Sequence, residues 1–190
     1  VRLGGRDPRR MSGRERAAAI AVVPQTSGSV LDCTAFECVL TGRNAFLSPW
    51  RPASSGDLRA VREAMERMDV FRFADVPCSR LSGGELQRVF IAAALAQESR
   101  WLLMDEPTSS LDPAHVAALM RALSDLDRSV VIVTHDASLA RAKAARVLLL
   151  HDGALFADGT PDSVMTEANL HAVYGCPARV HSDSVAFRYD

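Results

Sequence analysis

The chain has 190 residues and a formal net charge of −1, with 48% apolar and 24% charged side chains. This is enough apolar material for one soluble domain with a buried core, and it excludes a disordered chain. The near-neutral charge excludes the overall basic surface that is typical of nucleic-acid-binding proteins. The four cysteines form no CxxC pair, so we expect a reducing compartment.

The N-terminal region does not have the pattern of a signal peptide. Two arginines precede a short apolar stretch, residues 17–23, but Glu15 lies beside it and no small-residue cleavage site follows. Ser12 and Glu15 have the spacing of a capping box, which predicts a short helix. No apolar run approaches the ~20 residues that span a bilayer.

Short aliphatic runs alternate with helical patterns along the chain, which predicts a parallel α/β sheet. The strand candidates are Ile20–Val23, Trp101–Met104, Val130–Val133 and Val147–Leu150. Asp152-Gly153 predicts a type I′ hairpin between the fourth strand and Leu155–Ala157. The tail after Gly175 predicts one more hairpin.

Residues 27–98, between the first two strands, have a mostly helical pattern. Leu58, Val61, Met65 and Met68 recur at helical spacing and predict a stripe that faces the core. Further helices are indicated by their N-caps. These helices are Glu85–Gln97 after Ser82, Ala114–Leu126 after Asp112, Ala137–Ala144 after Asp136, and a short helix that begins at Thr160-Pro161.

Polar residues follow three of the predicted strands. The first strand leads to Gln25, the second to Asp105 and Glu106, and the third to His135. Ligands of open α/β sheets bind beyond the carboxyl ends of the strands, so we expect these side chains to converge on one cleft. A sheet of this kind with an acidic strand end is suited to a nucleotide and Mg²⁺.

The chemistry of each side chain indicates a role. Asp105 is suited to hold Mg²⁺, Glu106 to orient or deprotonate a water, and His135 to bond the terminal phosphate. Gln25 can contact the metal or the water without adding charge. Each residue taken singly also fits a structural role: Asp105 as a loop cap, His135 as a core or loop histidine, and Gln25 as a turn residue.

Ser82, Gly83 and Gly84 form a second candidate site at a helix N-terminus. Glycines let a backbone approach a phosphate, and the free N–H groups of the first turn attract anions. The alternative is an ordinary N-cap at Ser82, with two glycines that only ease entry into the helix. Asp112 has the same alternative as a cap of the next helix.

The order of these motifs resembles the ATP-binding subunit of ABC transporters. The matching segments are Gln25 for the Q-loop, LSGGELQR (81–88) for the signature, LLMDEP (102–107) for Walker B, SSLD (109–112) for the D-loop and Thr134-His135 for the H-loop. The resemblance implies a P-loop NTPase-like parallel sheet, a single domain over 1–190 and an inserted helical subdomain over 27–98.

The same resemblance implies ATP and Mg²⁺ as cofactors and a head-to-tail homodimer. Asp105 would help to hold Mg²⁺, Glu106 would be the catalytic base, and His135 would order the γ-phosphate. Ser82, Gly83 and Gly84 would touch the ATP of the opposite subunit, and Asp112 would lie across that dimer contact. Gln25 would bind at the metal and couple the site to the helical subdomain, which docks on membrane partners.

Looser patterns resemble importers of iron chelates, haem or cobalamin. They comprise VLTGR (39–43), QRVFIA (87–92) and the tail HDGALFADGTP (151–161), which ends at VYG (173–175). This resemblance implies membrane-spanning permease subunits as partners, an indirect role for a substrate-binding protein, no nucleic acid, and a peripheral location on the cytoplasmic face of the plasma (inner) membrane.

One motif of the family, the Walker A loop GxxxxGK[ST], is missing from these residues. The only lysine is Lys143, in Arg-Ala-Lys-Ala. We therefore expect an N-terminally truncated piece of a working ATPase, which by itself binds ATP poorly and turns it over negligibly. Two alternatives stay open: a non-catalytic interaction module of ABC type, and a soluble ABC-type ATPase that has no role in transport.

Overall fold

The structure is a computed structural model that describes residues 2–25, 32–47 and 52–188. The chain divides into two compact units, residues 1–133 and residues 134–190. In the described part of the chain, no helix has the length and apolar character needed to cross a membrane.

The first unit contains three strands and five helices among its described residues. In chain order they are α1 (Gly13–Ala19), β1 (Ile20–Val23), α2 (Ala35–Leu40), α3 (Ser55–Arg67), α4 (Gly83–Ala96), β2 (Trp101–Asp105), α5 (Pro113–Ser124) and β3 (Ser129–Val133). The three predicted strands of this unit are confirmed, and so is the helical character of the described residues between β1 and β2.

The three strands form a parallel sheet in the order β1-β2-β3. One face is buried and carries small and flexible apolar side chains, among them Ala21, Leu102 and Met104. The opposite face, which carries Val22 and Val133, is exposed. Helices α1 and α4 pack against β1. The predicted parallel α/β sheet is therefore confirmed.

Four helices of this unit begin with the same hydrogen-bonded motif. A Ser or Thr hydroxyl accepts the backbone N–H three residues later, and the acidic side chain at that later position accepts the N–H of the cap. The caps are Ser12 for α1, Thr34 for α2, Ser54 for α3 and Ser82 for α4. The capping box predicted at Ser12 is confirmed.

The buried face of α3 differs by one position from the predicted stripe. Val61, Met65 and Met68 are buried as expected, but Leu58 is 42% exposed and the prediction for it is wrong. Asp57 occupies the inward position of the first turn because its carboxylate bonds to Arg43, and this rotates Leu58 toward solvent.

Arg43 connects the start of α3 to the end of α4. Its Nε donates to Asp57 Oδ1 at 3.0 Å, and its Nη1 donates to the Ala96 carbonyl at 2.9 Å and to Glu98 Oε2 at 2.7 Å. The guanidinium also lies over the Phe46 ring. Since the Ala96 carbonyl belongs to the last turn of α4, Arg43 satisfies a helix C-terminus as well as a carboxylate.

The second unit consists of two hairpins and three helices among its described residues. They are α6 (Ala137–Lys143), β4 (Val147–His151), β5 (Ala154–Gly159), α7 (Pro161–Val164), α8 (Glu167–Tyr174), β6 (Ala178–Val180) and β7 (Val185–Phe187). Both predicted hairpins are confirmed. Asp152 and Gly153, between β4 and β5, have positive φ values of 49° and 73°, as a type I′ turn requires.

Candidate functional site

Gln25 and the acidic pair lie at the same edge of the first unit's sheet. Val23 of β1 is the register partner of Met104 of β2, so the two parallel strands end at the same level. Gln25 is two residues beyond Val23, and Glu106 is two residues beyond Met104. The carboxyl ends of β1 and β2, which lead to Gln25 and to Asp105 and Glu106, therefore lie side by side at one edge of the sheet, as the sequence predicts.

The backbone of Glu106 is held in an unusual conformation. Its φ is +47°, a left-handed value that costs a non-glycine residue about 1 kcal/mol. Its N–H donates to the Val133 carbonyl at 2.9 Å, and its own carbonyl accepts the Ser109 hydroxyl at 3.0 Å. Hydrogen bonds on both sides thus maintain a strained backbone at the residue that follows the strand. Sequence reasoning gave no signal for this strain, because Glu106 is not a glycine.

Asp105 and Glu106 differ in their exposure. Asp105 is the last residue of β2 and is exposed, on the same open face of the sheet as Val22 and Val133. Glu106 is half-buried. An exposed carboxylate beside a half-buried one gives the edge one group that is open to a hydrated cation and one that is shielded from solvent on part of its surface.

The N-terminus of α4 forms the second candidate site. The Ser82 hydroxyl accepts the Glu85 N–H at 3.4 Å and donates to Glu85 Oε2 at 2.8 Å. The Ser82 N–H, followed by its hydroxyl, holds the pKa of the Glu85 carboxyl below its usual value. The helix begins at Gly83, two residues before the predicted start at Glu85. The residues past the cap are therefore already helical, and their N–H groups point along the helix axis.

The two glycines at this terminus have different surroundings. A Cβ on Gly83 would meet no atom within 4 Å, whereas a Cβ on Gly84 would lie 2.9 Å from the Ser110 carbonyl oxygen. Gly83 therefore leaves open space in front of the helix. Gly84 allows the segment 109–112 to approach the helix closely. This division between the two glycines has no signal in the local sequence.

Asp112 is the N-cap of α5, as predicted, and it has a partner that sequence reasoning missed. Its Oδ1 accepts the His115 N–H at 2.9 Å, and its Oδ2 lies 2.8 Å from His115 Nδ1. The His115 N–H, and then the imidazole, hold the pKa of the Asp112 carboxyl below its usual value. The spacing of three residues between cap and histidine was the available signal, because position N3 faces the cap.

His135 belongs to the second unit, where it is exposed and follows β3 by two residues. The segment around it is organised by Asp136, which caps α6 and whose N–H donates to the Thr134 hydroxyl at 3.1 Å. The predicted convergence of His135 with Gln25 and Glu106 stays a prediction.

The donor set at the sheet edge fits a magnesium-bound nucleotide in part. Asp105, Glu106 and Gln25 offer the oxygen ligands that Mg²⁺ prefers. The described residues contain no group of three or more His, Cys, Asp or Glu side chains arranged to hold a metal ion. In the usual Mg²⁺ site, one or two carboxylates are completed by waters and substrate phosphates. The α4 N-terminus fits the anionic end of such a ligand.

Residues 1–109 match the family model described as ABC transporter. The chain is 40% identical to the hemin import ATP-binding protein HmuV of Rhodococcus jostii, over 95% of this chain and 62% of that protein. It is 34% identical to the iron(3+)-hydroxamate import ATP-binding protein FhuC of Bacillus subtilis, over 96% of this chain and 70% of that protein.

Comparison with a solved structure agrees with this similarity at the level of the fold. An inward-facing metal-chelate type ABC transporter superposes with a TM-score of 0.79 at 27% identity, over 90% of this chain and 73% of that one. The chain spans 62–65% of the length of three hemin import proteins that it matches, which is less than two thirds.

Proposed function

Since this chain belongs to the ABC transporter family, whose model matches more than half of its residues, we propose that it carries the Walker B, signature and H-loop functions of the ATP-binding and ATP-hydrolysing subunit of a metal-chelate importer. The observation that carries the proposal is the sheet edge at which Gln25, Asp105 and the strained Glu106 end adjacent parallel strands. The names of the matched hemin and hydroxamate import proteins support a haem or iron-siderophore cargo. Cobalamin is a third candidate of the same chelate class.

The acidic pair divides two tasks between neighbouring carboxylates. Asp105, exposed at the end of β2, is suited to hold Mg²⁺ directly or through water. Bound Mg²⁺ supplies neutralisation of phosphate charge during transfer to water. Glu106 is suited to accept a proton from the attacking water at a side-chain oxygen. Its fixed backbone supports this role because a base must be held in position relative to its water.

Gln25 and His135 complete the proposed site without adding negative charge. The Gln25 side chain can accept from a water or ligate the metal, and its place at the end of β1 links the edge to residues 27–98. His135 can donate a ring N–H to the γ-phosphate. Its position two residues after the end of β3 supports this role, because β3 is the strand that pairs with β2.

Ser82, Gly83 and Gly84 are proposed to contact the γ-phosphate of a nucleotide on a second copy of the cassette. The open space at Gly83 supports this, since a phosphate can approach the first-turn N–H groups there. Gly84 packs against Ser110, so the D-loop that ends at Asp112 lies beside this helix terminus. Such a contact fits a head-to-tail dimer in which Asp112 lies near the subunit boundary.

The proposed partners and location follow from the import role. Membrane-spanning permease subunits would receive the helical segment 27–98, and a substrate-binding protein would act through them. The chain would then be peripheral on the cytoplasmic face of the inner membrane. Co-purification of a permease with the tagged chain from detergent-solubilised membranes tests this. Recovery of the chain without any integral membrane protein would contradict it.

The test of function is a chromosomal Glu106→Gln substitution in the source organism. Loss of a general base typically lowers a rate by about 10²–10⁴-fold, so uptake of labelled chelate is expected to fall by at least about 100-fold. Growth would fail on haem, a ferric siderophore or cobalamin as the limiting nutrient, and the source that fails identifies the cargo. Growth on a soluble ferrous salt would be unchanged.

Glu167→Gln is the matched control because Glu167 is an exposed residue of α8, outside both the proposed site and segment 27–98, and a glutamine there can still accept the Val180 N–H. It should leave uptake unchanged, and immunoblots should show equal amounts of both variants. Normal chelate-dependent growth of the Glu106→Gln strain, with failure of a deletion strain, would contradict hydrolysis by this chain and favour the non-catalytic interaction module.

A further inference from the structure

Three of the four cysteines come together in the first unit. Thr34 and Pro77 form an isolated antiparallel bridge, and the Cys78 N–H donates to the Cys33 carbonyl at 2.9 Å. Cys33 and Cys78 therefore lie opposite each other in that bridge. Cys38, in α2, is near both: burial is the main cause that raises the pKa of its thiol, and the neighbouring Cys78 and Cys33 thiols add to it. No disulfide joins any of the three.

The spacing of Cys33 and Cys78 suits a disulfide. Residues opposite each other in an antiparallel pair have Cα atoms about 4.5–5.5 Å apart. Disulfides bridge Cα separations of about 4.4–6.8 Å. A shared metal ion is the other common use of clustered thiols, but the described residues contain no group of three or more ligands arranged to hold one. The cluster is therefore better suited to redox chemistry than to metal binding.

The three thiols differ in access. Cys33 is half-buried, whereas Cys38 and Cys78 are each 2% exposed. Burial raises the pKa of Cys38 to about 12 and also raises the pKa of Cys78. The thiolate is the reactive form of cysteine. Cys33 is the most exposed of the three thiols, so it is the one that a dissolved reagent meets first.

We propose that Cys33 and Cys78 form a redox modification site that is oxidised to a disulfide by a low-molecular-weight disulfide such as that of glutathione. The Cys33 thiolate attacks one sulfur of the reagent, whose S–S bond breaks and releases one thiol. The Cys78 thiolate then attacks Cys33 Sγ and releases the second thiol. The two cysteines lose two electrons to the reagent, and their two protons end on the two released thiols.

The disulfide would join two segments that lie next in sequence to residues of the proposed nucleotide site. Cys33 is eight residues after Gln25, and Cys78 is four residues before Ser82. The bridge between them rests on two backbone hydrogen bonds, the second from the Ala35 N–H to the Val76 carbonyl at 3.0 Å. As long as the disulfide is intact, this covalent link would hold the bridge closed and restrict opening of the segment that leads into α4. The site itself is independent of the nucleotide role proposed for Ser82.

The test is a titration of the purified 190-residue chain with mixtures of reduced and oxidised glutathione. Thiols that remain are alkylated in denaturant and counted, and cross-linked peptides are identified by mass spectrometry. The wild-type chain is expected to lose two of its four thiols and to yield a Cys33–Cys78 peptide. Four thiols at saturating oxidant, or a disulfide that pairs Cys38 or Cys176 instead, would overturn the proposal.

Cys176→Ser is the matched control, since Cys176 is also half-buried but belongs to the second unit. It should still lose two thiols with the wild-type midpoint, whereas Cys33→Ser should form no internal disulfide. Hydrogen exchange of residues 79–85 gives a separate readout. Oxidation should slow their local opening by about tenfold or more. Unchanged exchange in the oxidised chain would refute the restriction of this segment.

Discussion

Gly83 and Gly84 give a sharp test of the packing at the α4 N-terminus, because the same substitution should have different effects at adjacent positions. An alanine at position 84 would place its Cβ 2.9 Å from the Ser110 carbonyl oxygen, closer than such atoms approach in folded proteins. An alanine at position 83 would meet nothing within 4 Å. Neither glycine has a positive φ, so backbone strain does not complicate the comparison.

The magnitude follows from two opposing effects. Replacement of glycine by alanine in a helix stabilises it by up to about 1 kcal/mol. Forcing an extra methyl group into a packed site costs about 1–3 kcal/mol. The first effect applies to both variants and cancels between them. Gly84→Ala should therefore be about 1–3 kcal/mol less stable than Gly83→Ala, which should equal or exceed the wild type.

Urea unfolding of the 190-residue chain measures this difference. Tryptophan fluorescence reports on the first unit because both tryptophans fall within residues 1–133. With a slope near 2 kcal/mol per molar urea, the midpoints of the two variants should differ by about 0.5–1.5 M. Equal midpoints, or a Gly84→Ala midpoint above the wild type, would refute the close approach of Ser110 to the helix.

Two further substitutions test the contacts of the first unit. Arg43→Ala should lower the free energy of unfolding by about 2–3 kcal/mol, because it leaves the Asp57 carboxylate and the Ala96 carbonyl without a donor. Arg62→Ala, on an exposed helix face, should lower the free energy of unfolding by about 1 kcal/mol or less. Equal losses for the two variants in urea unfolding would contradict the stabilising role of the Arg43 contacts. The Ser12 N–H and hydroxyl, with Arg6, lower the pKa of Glu15 from its ordinary 4.5 to about 2. Its contribution to stability is therefore complete above pH 4.5 and declines as the pH falls toward 2. The urea midpoint of Glu15→Gln should therefore depend less on pH over that range than the midpoint of the wild type.

The features predicted from sequence are those set by short-range chemistry. The cap at Ser82 depends on a hydroxyl and a carboxylate three residues apart, and the β4–β5 turn depends on Asp152-Gly153. Both patterns are complete within a few residues. The common edge of the strands that lead to Gln25 and to Asp105 and Glu106 was predicted for a similar reason: in a parallel sheet, the carboxyl ends of neighbouring strands lie at one edge.

Features that depend on distant partners were missed. Leu58 fits an apolar helical stripe, but the inward position of that turn is taken by Asp57, whose partner Arg43 is 14 residues away. The cysteines showed no spacing pattern in the sequence, yet Cys33 and Cys78 meet because the chain returns 45 residues later to pair at Thr34 and Pro77. The periodicity of apolar residues along the sequence contains no information on such long-range contacts.

The two glycines of the LSGGE segment combine both situations at one helix terminus. The local pattern predicts a capped helix start and open access for an anion, and the surroundings of Gly83 agree with that. Gly84 is required for a different reason, since the Ser110 carbonyl approaches from a segment 26 residues further along the chain. A side chain at Gly83 would occupy open space, the space that the proposed phosphate contact uses, whereas a side chain at Gly84 would push the D-loop away from the helix. Glycine at position 84 is therefore required by the packing of the fold, whereas glycine at position 83 is explained by the proposed ligand role.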